Sequence, residues 1–99
     1  MEEIKLELNG NQEGAFNLYQ ENEKIGEMAI SIAGNVLTVF HTEVKPELEG
    51  QGFAGKLLDT MEDYVRKNNL KVQPLCPYVN IQFKRHPEKY GDLLSTPQV

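Results

Sequence analysis

A glycine-rich turn with the spacing Gly50-x-Gly52-x-x-Gly55 is the segment of this sequence best suited to binding a phosphate. It lies between an apolar run and a segment with helical periodicity, and glycines let the backbone approach a ligand closely. The N–H groups at the start of the following helix would point at the same ligand, and the helix dipole favours negative charge there. Such turns bind dinucleotides, nucleoside triphosphates or the pyrophosphate of coenzyme A, and some are rich in glycine for steric reasons alone.

Two of these ligand classes do not fit the surrounding residues. A dinucleotide site needs a parallel β-α-β unit with an acidic residue about 20 positions further on, and positions 70–75 contain no acid. A nucleoside triphosphate loop needs a Ser or Thr after Lys56 to hold magnesium, and Leu57 occupies that position. Coenzyme A and a turn without a ligand remain.

Cys76 is the candidate reactive thiol, because it follows a predicted strand and immediately precedes Pro77, which is typical of the first turn of a helix. The positive end of that helix would favour a thiolate. In an acyl transfer the residue would act either as a nucleophile that takes the acyl group or as a general acid for the departing thiol. The alternative is a small buried residue where a strand meets a helix.

His41 and Glu43 are the candidate bases, because an ammonium acceptor must lose a proton before it attacks an acyl group. Each also has a simpler interpretation, His41 as a hydrogen-bonded rim histidine and Glu43 as a solvated charge at a strand end. His86 precedes Pro87 and is predicted to end a helix. We predict no metal site, because the two histidines and the lone cysteine show no ligand spacing.

The elements that position these residues begin with four strands. Alternating apolar residues predict strands at 3–8, 15–20 and 24–33, and a fourth begins at residue 36. The parity of the apolar positions changes between Ile25 and Met28, which predicts a bulge at Gly26. The apolar run from Val36 to Phe40 predicts a central strand that is buried on both faces.

Beyond the glycine turn the hydrophobic period becomes helical. The residues that share one face of the predicted helix are Ala54, Leu57, Leu58, Met61 and Val65, and Asn68-Asn69 ends it. Residues 70–75 then form a fifth strand, which a crossover helix makes parallel to the fourth. A second helix starts at Pro77 and stops before Pro87. The order predicts an α+β fold with a mixed sheet.

Composition limits what the chain can be. Its 99 residues allow one domain, for which residues 1–99 are assigned, with a frayed tail at 95–99. The formal net charge of -5 argues against nucleic acid as a partner, since phosphate contacts need clustered cations. No apolar run is long enough to span a membrane, and Met1-Glu2-Glu3 does not start a signal peptide, so we expect a cytoplasmic protein.

The segment from Val44 to Ala54 resembles motif A of the GNAT acetyltransferase superfamily. In that motif a valine ends the fourth strand and Arg/Gln-x-x-Gly-x-Gly/Ala opens the helix. Gly52 and Ala54 match the motif, whereas Glu49 stands where Arg or Gln is usual. The segments 41–44, 75–79 and 85–88 extend the resemblance to the small single-domain subfamily, over roughly positions 15–94.

The resemblance implies a GNAT-like sheet and an N-acetyltransferase that takes its acetyl group from acetyl-coenzyme A and releases coenzyme A. It implies that the cofactor is bound by Thr42, Val44, Glu49, Gly50, Gln51, Gly52, Phe53 and Ala54. Gly55, Lys56, Pro77 and Phe83 are the further candidate cofactor residues, with Lys56 as a cation for the phosphates and Phe83 as a wall for the pantetheine arm. The role of Cys76, as nucleophile or general acid, stays open. The alternative to an enzyme is a coenzyme A-binding sensor or interaction module without turnover.

The acceptor expected from this resemblance is a primary amine on a flexible protein segment or a small polyamine. Residues 9–14 leave room only for a turn where larger members carry helices, so the acceptor site should be shallow. The acidic surface would attract cationic acceptors. We expect a monomer or a weak dimer that contacts no membrane.

Overall fold

The computed structural model describes residues 2–95, so all of the tail predicted at 95–99 except Ser95 lies outside the described residues. The elements are β1 (Glu2–Leu8), β2 (Glu13–Gln20), β3 (Glu23–Ala33), β4 (Val36–Val44), α1 (Phe53–Lys67), β5 (Lys71–Pro74), α2 (Pro77–Arg85) and α3 (Pro87–Tyr90). Short 3₁₀ turns cover Pro46–Leu48 and Gly91–Leu93. Of these elements, α3 was not predicted as a separate helix.

The strands form one sheet in the order β1-β2-β3-β4-β5. The first four strands pair antiparallel with their neighbours, and β5 pairs parallel with β4. The parallel pair requires a crossover, and α1 supplies it. The predicted α+β fold with a mixed sheet is confirmed.

The helices cover one face of this sheet. Leu57, Met61 and Val65 of α1 are fully buried in a cluster with sheet residues such as Met28 and Leu37. Residues that alternate with these sheet residues point the opposite way, because side chains of a strand alternate between faces. We call this second side, which bears the cross-strand row Lys5, Asn17, Glu27 and Glu43, the outer face.

Two bulges interrupt the sheet. Leu18 pairs with Gly26 and Tyr19 with Lys24, so one extra residue, Ile25, lies in β3, and the predicted bulge beside Gly26 is confirmed. Ile30 pairs with Val39 and Ala29 with His41, so Phe40 is an extra residue in β4. This second bulge was not predicted.

The prediction that the fourth strand is buried on both faces is wrong. Leu37 and Val39 are fully buried, but Phe40 is 48% exposed. The strand therefore alternates up to Phe40, where the bulge turns an aromatic side chain into solvent. A run in which four of five residues are apolar concealed this alternation.

The strands β4 and β5 separate after Val39. Only residues 36–39 of β4 pair with β5, which ends at Pro74. The Val39 carbonyl accepts hydrogen bonds from the N–H groups of both Leu75 and Cys76, at 3.0 and 2.9 Å. Beyond this point β4 continues to Val44 beside β3 alone, so an opening forms between β4 and the start of α2.

The C-terminal segment returns to the core, after a helix that stops before Pro87 as predicted. The helix α2 ends at Arg85, before Pro87, and Tyr90 and Leu93 are buried. The Ser95 N–H donates to the Val72 carbonyl at 2.9 Å, which ties the end of the described chain to β5. Within residues 2–95, no helix has the length and apolar character needed to cross a membrane.

Candidate active site

The turn before α1 has the left-handed backbone that its glycines make possible. Gly50 and Gly52 have φ angles of 87° and 85°, which residues with a Cβ rarely adopt. Gly52 is the N-cap of α1, and no side chain caps the helix. The N–H groups of the first turn therefore have no partner within the helix and face outward.

A cleft of about 450 Å³ opens at this turn. Its walls come from the end of β4, the glycine turn, the start of α1 and one residue of α2. The lining residues are Thr42, Glu43, Val44, Leu48, Glu49, Gly50, Gly52, Phe53, Ala54, Gly55 and Tyr78. The structure thus brings eight of the twelve predicted cofactor residues, Thr42, Val44, Glu49, Gly50, Gly52, Phe53, Ala54 and Gly55, to one cavity.

The other four predicted cofactor residues do not line this cleft. Gln51 is exposed within the turn, and Pro77 is exposed at the start of α2. Lys56 forms an ion pair with Glu2 of β1. Phe83 lines a separate cavity between α2 and β5.

Thr42 and Val44 reach the cleft because they lie on the helix-covered face of β4. Thr42 pairs with the fully buried Met28. The residues that alternate with them, His41 and Glu43, place their side chains on the outer face. His41 is therefore separated from the glycine turn by the thickness of one strand, whereas Glu43, although it alternates with Thr42 and Val44, also lines the cleft.

Cys76 is 1% exposed and does not line the cleft. Its Sγ donates a hydrogen bond to Thr42 Oγ1 at 3.4 Å. Thr42, which does line the cleft, thus separates the thiol from the cavity. The predicted position of Cys76 at the start of a helix is correct, since it is the N-cap of α2.

His41 lies between two carboxylates on the outer face. Its Nε2 is 3.1 Å from Glu43 Oε1 and 3.5 Å from Glu27 Oε2. Glu27 is directly opposite Glu43 in the pairing of β3 with β4. The sequence alone did not single out Glu27, because it is 14 residues from His41 along the chain.

Two cleft residues, Leu48 and Tyr78, were not predicted as site residues. Tyr78, the second residue of α2, lines the cleft opposite the start of α1. Burial raises the pKa of the Tyr78 phenol above its ordinary value. Like an ordinary tyrosine, the phenol is protonated at neutral pH, and burial favours this neutral form further.

The cleft contains no cationic side chain among its lining residues. The nearest lysines by sequence are engaged with acids, Lys45 with Glu23 and Lys56 with Glu2. The hydrogen bond to Glu23 raises the pKa of Lys45, and the one from Lys56 lowers the pKa of Glu2. An anion in the cleft would therefore depend on backbone N–H groups.

Comparison with known proteins identifies a family whose model matches most of this chain. The family model described as GCN5-related N-acetyl-transferase matches residues 15–93 of this chain. No match was found among curated protein sequences.

Several solved structures have the same fold. The chain is 28% identical to a GCN5-like protein from Staphylococcus aureus, with a TM-score of 0.66 over 97% of this chain and 90% of that one. The ribosomal-protein-S18-alanine N-acetyltransferase of Escherichia coli aligns with 21% identity and a TM-score of 0.61, over 67% of this chain and 43% of that one.

A third structure was determined with coenzyme A bound. The PaiA N-acetyltransferase of Thermoplasma acidophilum is 17% identical, with a TM-score of 0.58 over 64% of this chain and 40% of that one. The present chain thus spans less than half the length of the Escherichia coli and Thermoplasma enzymes. At these identities the two enzymes show a shared fold alone.

Proposed function

The chain belongs to the GCN5-related N-acetyltransferase family, and from this premise we propose that it transfers the acetyl group of acetyl-coenzyme A to a primary amine. The donor occupies the cleft between β4 and α1. The amine approaches from the outer face, through the opening between β4 and β5. The following steps assign each part of the site to this reaction.

The glycine turn binds the pyrophosphate of the donor. The uncapped N–H groups at the start of α1 supply hydrogen bonds, and the helix dipole adds a favourable interaction with negative charge. Glu49, which lines the cleft, has the wrong charge to hold the phosphates. Binding by the backbone tolerates this departure from the usual Arg or Gln.

The proposal rests mainly on the surroundings of Gly55. A Cβ built on this residue meets no atom within 4 Å, and its φ is not in the left-handed region. Neither crowding nor backbone strain within the chain therefore requires glycine, although glycine destabilises a helix relative to alanine. A ligand that lies against the helix backbone explains why this position of the cleft carries no side chain.

The strand β4 binds the pantetheine arm. Beyond Val39 no strand among residues 2–95 pairs with β4 on the β5 side, so its backbone groups are available to amides of the donor. Thr42 and Val44 line the same stretch. An N–H group of this stretch, as the family resemblance implies, would stabilise the oxyanion that develops on the acetyl carbonyl.

Tyr78 acts as the general acid in this proposal. The amine nitrogen forms a bond to the acetyl carbon, the carbon–sulfur bond breaks, and the phenol gives its proton to the departing thiolate. Tyr78 is favoured over Cys76 because it lines the cleft, whereas the thiol is buried behind Thr42. Direct transfer is accordingly favoured over an acetylated Cys76.

The proton that the amine loses goes to a base on the outer face. His41 and Glu43 both lie there, on the β4 stretch whose other side lines the cleft. The acceptor site has no wall of its own between β1 and β2, since only residues 9–12 connect them. An open site of this kind suits a small amine or a flexible chain end.

The decisive experiment measures the release of free coenzyme A thiol from acetyl-coenzyme A with a panel of primary amines. We expect acetyl-dependent release with at least one amine and a strong reduction in Tyr78→Phe. The variant Tyr19→Phe, on the outer face, is the matched control and should retain turnover. Binding of coenzyme A without release for any amine would instead support a non-catalytic coenzyme A-binding module.

A further inference from the structure

Three side chains with metal-ligating atoms meet on the outer face. His41 and Glu43 are two residues apart on β4, and Glu27 is directly opposite Glu43 on β3. One ligand atom from each residue lies within 4.8 Å of the other two. Because the three residues come from paired strands, the hydrogen-bonded ladder fixes the spacing of their backbones.

The arrangement is better suited to a divalent ion than to a single proton. His41 Nε2 faces Glu43 Oε1 at 3.1 Å and Glu27 Oε2 at 3.5 Å. The Nε2–H group of His41 can make one good hydrogen bond, to one of the two carboxylates. The other carboxylate then lies close to a group of the same charge. Ligands at about 2.0–2.2 Å from a tetrahedral zinc are themselves about 3.3–3.5 Å apart, so small adjustments would complete a site.

A neighbouring amide supplies an independent observation. Asn17 is opposite Glu27 on β2, is only 9% exposed, and donates from Nδ2 to Glu7 Oε1 of β1 at 2.7 Å. Its Oδ1 is buried and has no hydrogen-bond partner within residues 2–95. A rotation of the Asn17 side chain would bring this oxygen to a water bound to a metal at Glu27, which would donate to it.

The charges around the cluster leave its ligand atoms accessible. Lys24 pairs with Glu27 Oε1 at 2.5 Å, so the other carboxylate oxygen of Glu27 faces His41. The side chains of His41 and Glu43 are 51% and 71% exposed, which leaves room for an ion and its waters. An imidazole with two carboxylates suits zinc better than magnesium or calcium, which prefer oxygen ligands throughout.

We propose that Glu27, His41 and Glu43 bind one zinc ion on the outer face, with a zinc-bound water donating to Asn17. The site does not depend on the proposed function, since no residue of the glycine turn contributes. It shares His41 and Glu43 with the proposed acceptor side. Zinc would therefore inhibit acetyl transfer by occupying both candidate bases.

The experiment is a calorimetric titration of the full chain with zinc chloride, with no acetyl-coenzyme A present. We expect one ion per chain, and at least about 10- to 100-fold weaker binding in His41→Gln and in Glu27→Gln. His86→Gln is the matched control, because His86 Nδ1 also faces a carboxylate, Glu88 Oε2 at 3.5 Å. This control should bind as tightly as the parent chain.

Cobalt(II) provides a second measurement, because its visible spectrum reports the ligands. Nitrogen and oxygen ligands without a thiolate charge-transfer band support the site, and magnesium should not compete. Absence of zinc binding, binding that survives His41→Gln, or loss of binding in Cys76→Ala would each overturn the proposal. Circular dichroism of every variant shows that the fold is retained.

Discussion

Replacement of Gly55 by alanine should stabilise the protein and impair binding of its cofactor. A Cβ at this position meets no atom within 4 Å, and the residue is in the first turn of α1 without a positive φ. Glycine in a helix is destabilising by about 0.5–1 kcal/mol relative to alanine. For a domain of this size the gain should raise the melting temperature by about 2–8 °C.

The same methyl group would lie where the pyrophosphate approaches the helix. Inserting a methyl group into a close contact costs about 1–3 kcal/mol. This corresponds to about 5- to 150-fold weaker binding of coenzyme A. Thermal unfolding measures the first effect, and calorimetric titration with coenzyme A measures the second.

Gly91→Ala is the matched control for this prediction. Gly91 has helical angles of −58° and −34°, and a Cβ there also meets no atom within 4 Å, but it does not line the cleft. The control should keep its affinity for coenzyme A. If Gly55→Ala is no more stable than the parent, or binds coenzyme A equally well, the assignment of Gly55 to the ligand is refuted.

Three further predictions concern separate parts of the molecule. Tyr78→Phe should lower kcat about 10²- to 10⁴-fold with little change in coenzyme A affinity, because it removes the proposed acid alone; a kcat equal to that of the parent in steady-state assays would exclude this role. Cys76→Ala should lose about 1 kcal/mol of stability in urea unfolding yet retain turnover. The intact mass of the parent after incubation with acetyl-coenzyme A should show no hydroxylamine-labile acetyl adduct, and such an adduct would contradict direct transfer. The hydrogen bond from Arg66 holds the pKa of Asp92 below its ordinary value of 3.8, so the pair stabilises the fold above that pH and loses its effect as the pH falls through the lowered pKa. The free energy of unfolding of Asp92→Asn, measured in urea, should thus be lower than that of the parent near neutral pH and approach it in acid. A difference that stays constant with pH would contradict the pairing.

Much of the sheet could be predicted because its apolar positions alternate. The change of parity between Ile25 and Met28 revealed the first bulge, since buried positions on either side of an extra residue differ by an odd number. The run Val36 to Phe40 carries no parity information, as every residue in it except Thr38 is apolar. The second bulge, and the exposure of Phe40, therefore could not be read from the pattern.

The candidate site was predictable where it is local in sequence. The glycine turn could be predicted from residues 50–55 alone. In the structure five of these six residues, all but Gln51, line the cleft. Tyr78 was missed because the direction of α2 relative to α1 depends on tertiary packing. Glu27 was missed because the spacing of ligands along one chain segment does not reveal a partner from the neighbouring strand.

The bulge at Phe40 has a consequence for how this fold acquires a binding site. Removal of Phe40 would leave Val39 and His41 in regular alternation, so every flanking side chain would keep its face. The strand would then lose the bend that a bulge introduces, at the point where β4 and β5 separate. A deletion of one codon would thus straighten the strand beside the cleft without altering a single residue of the core.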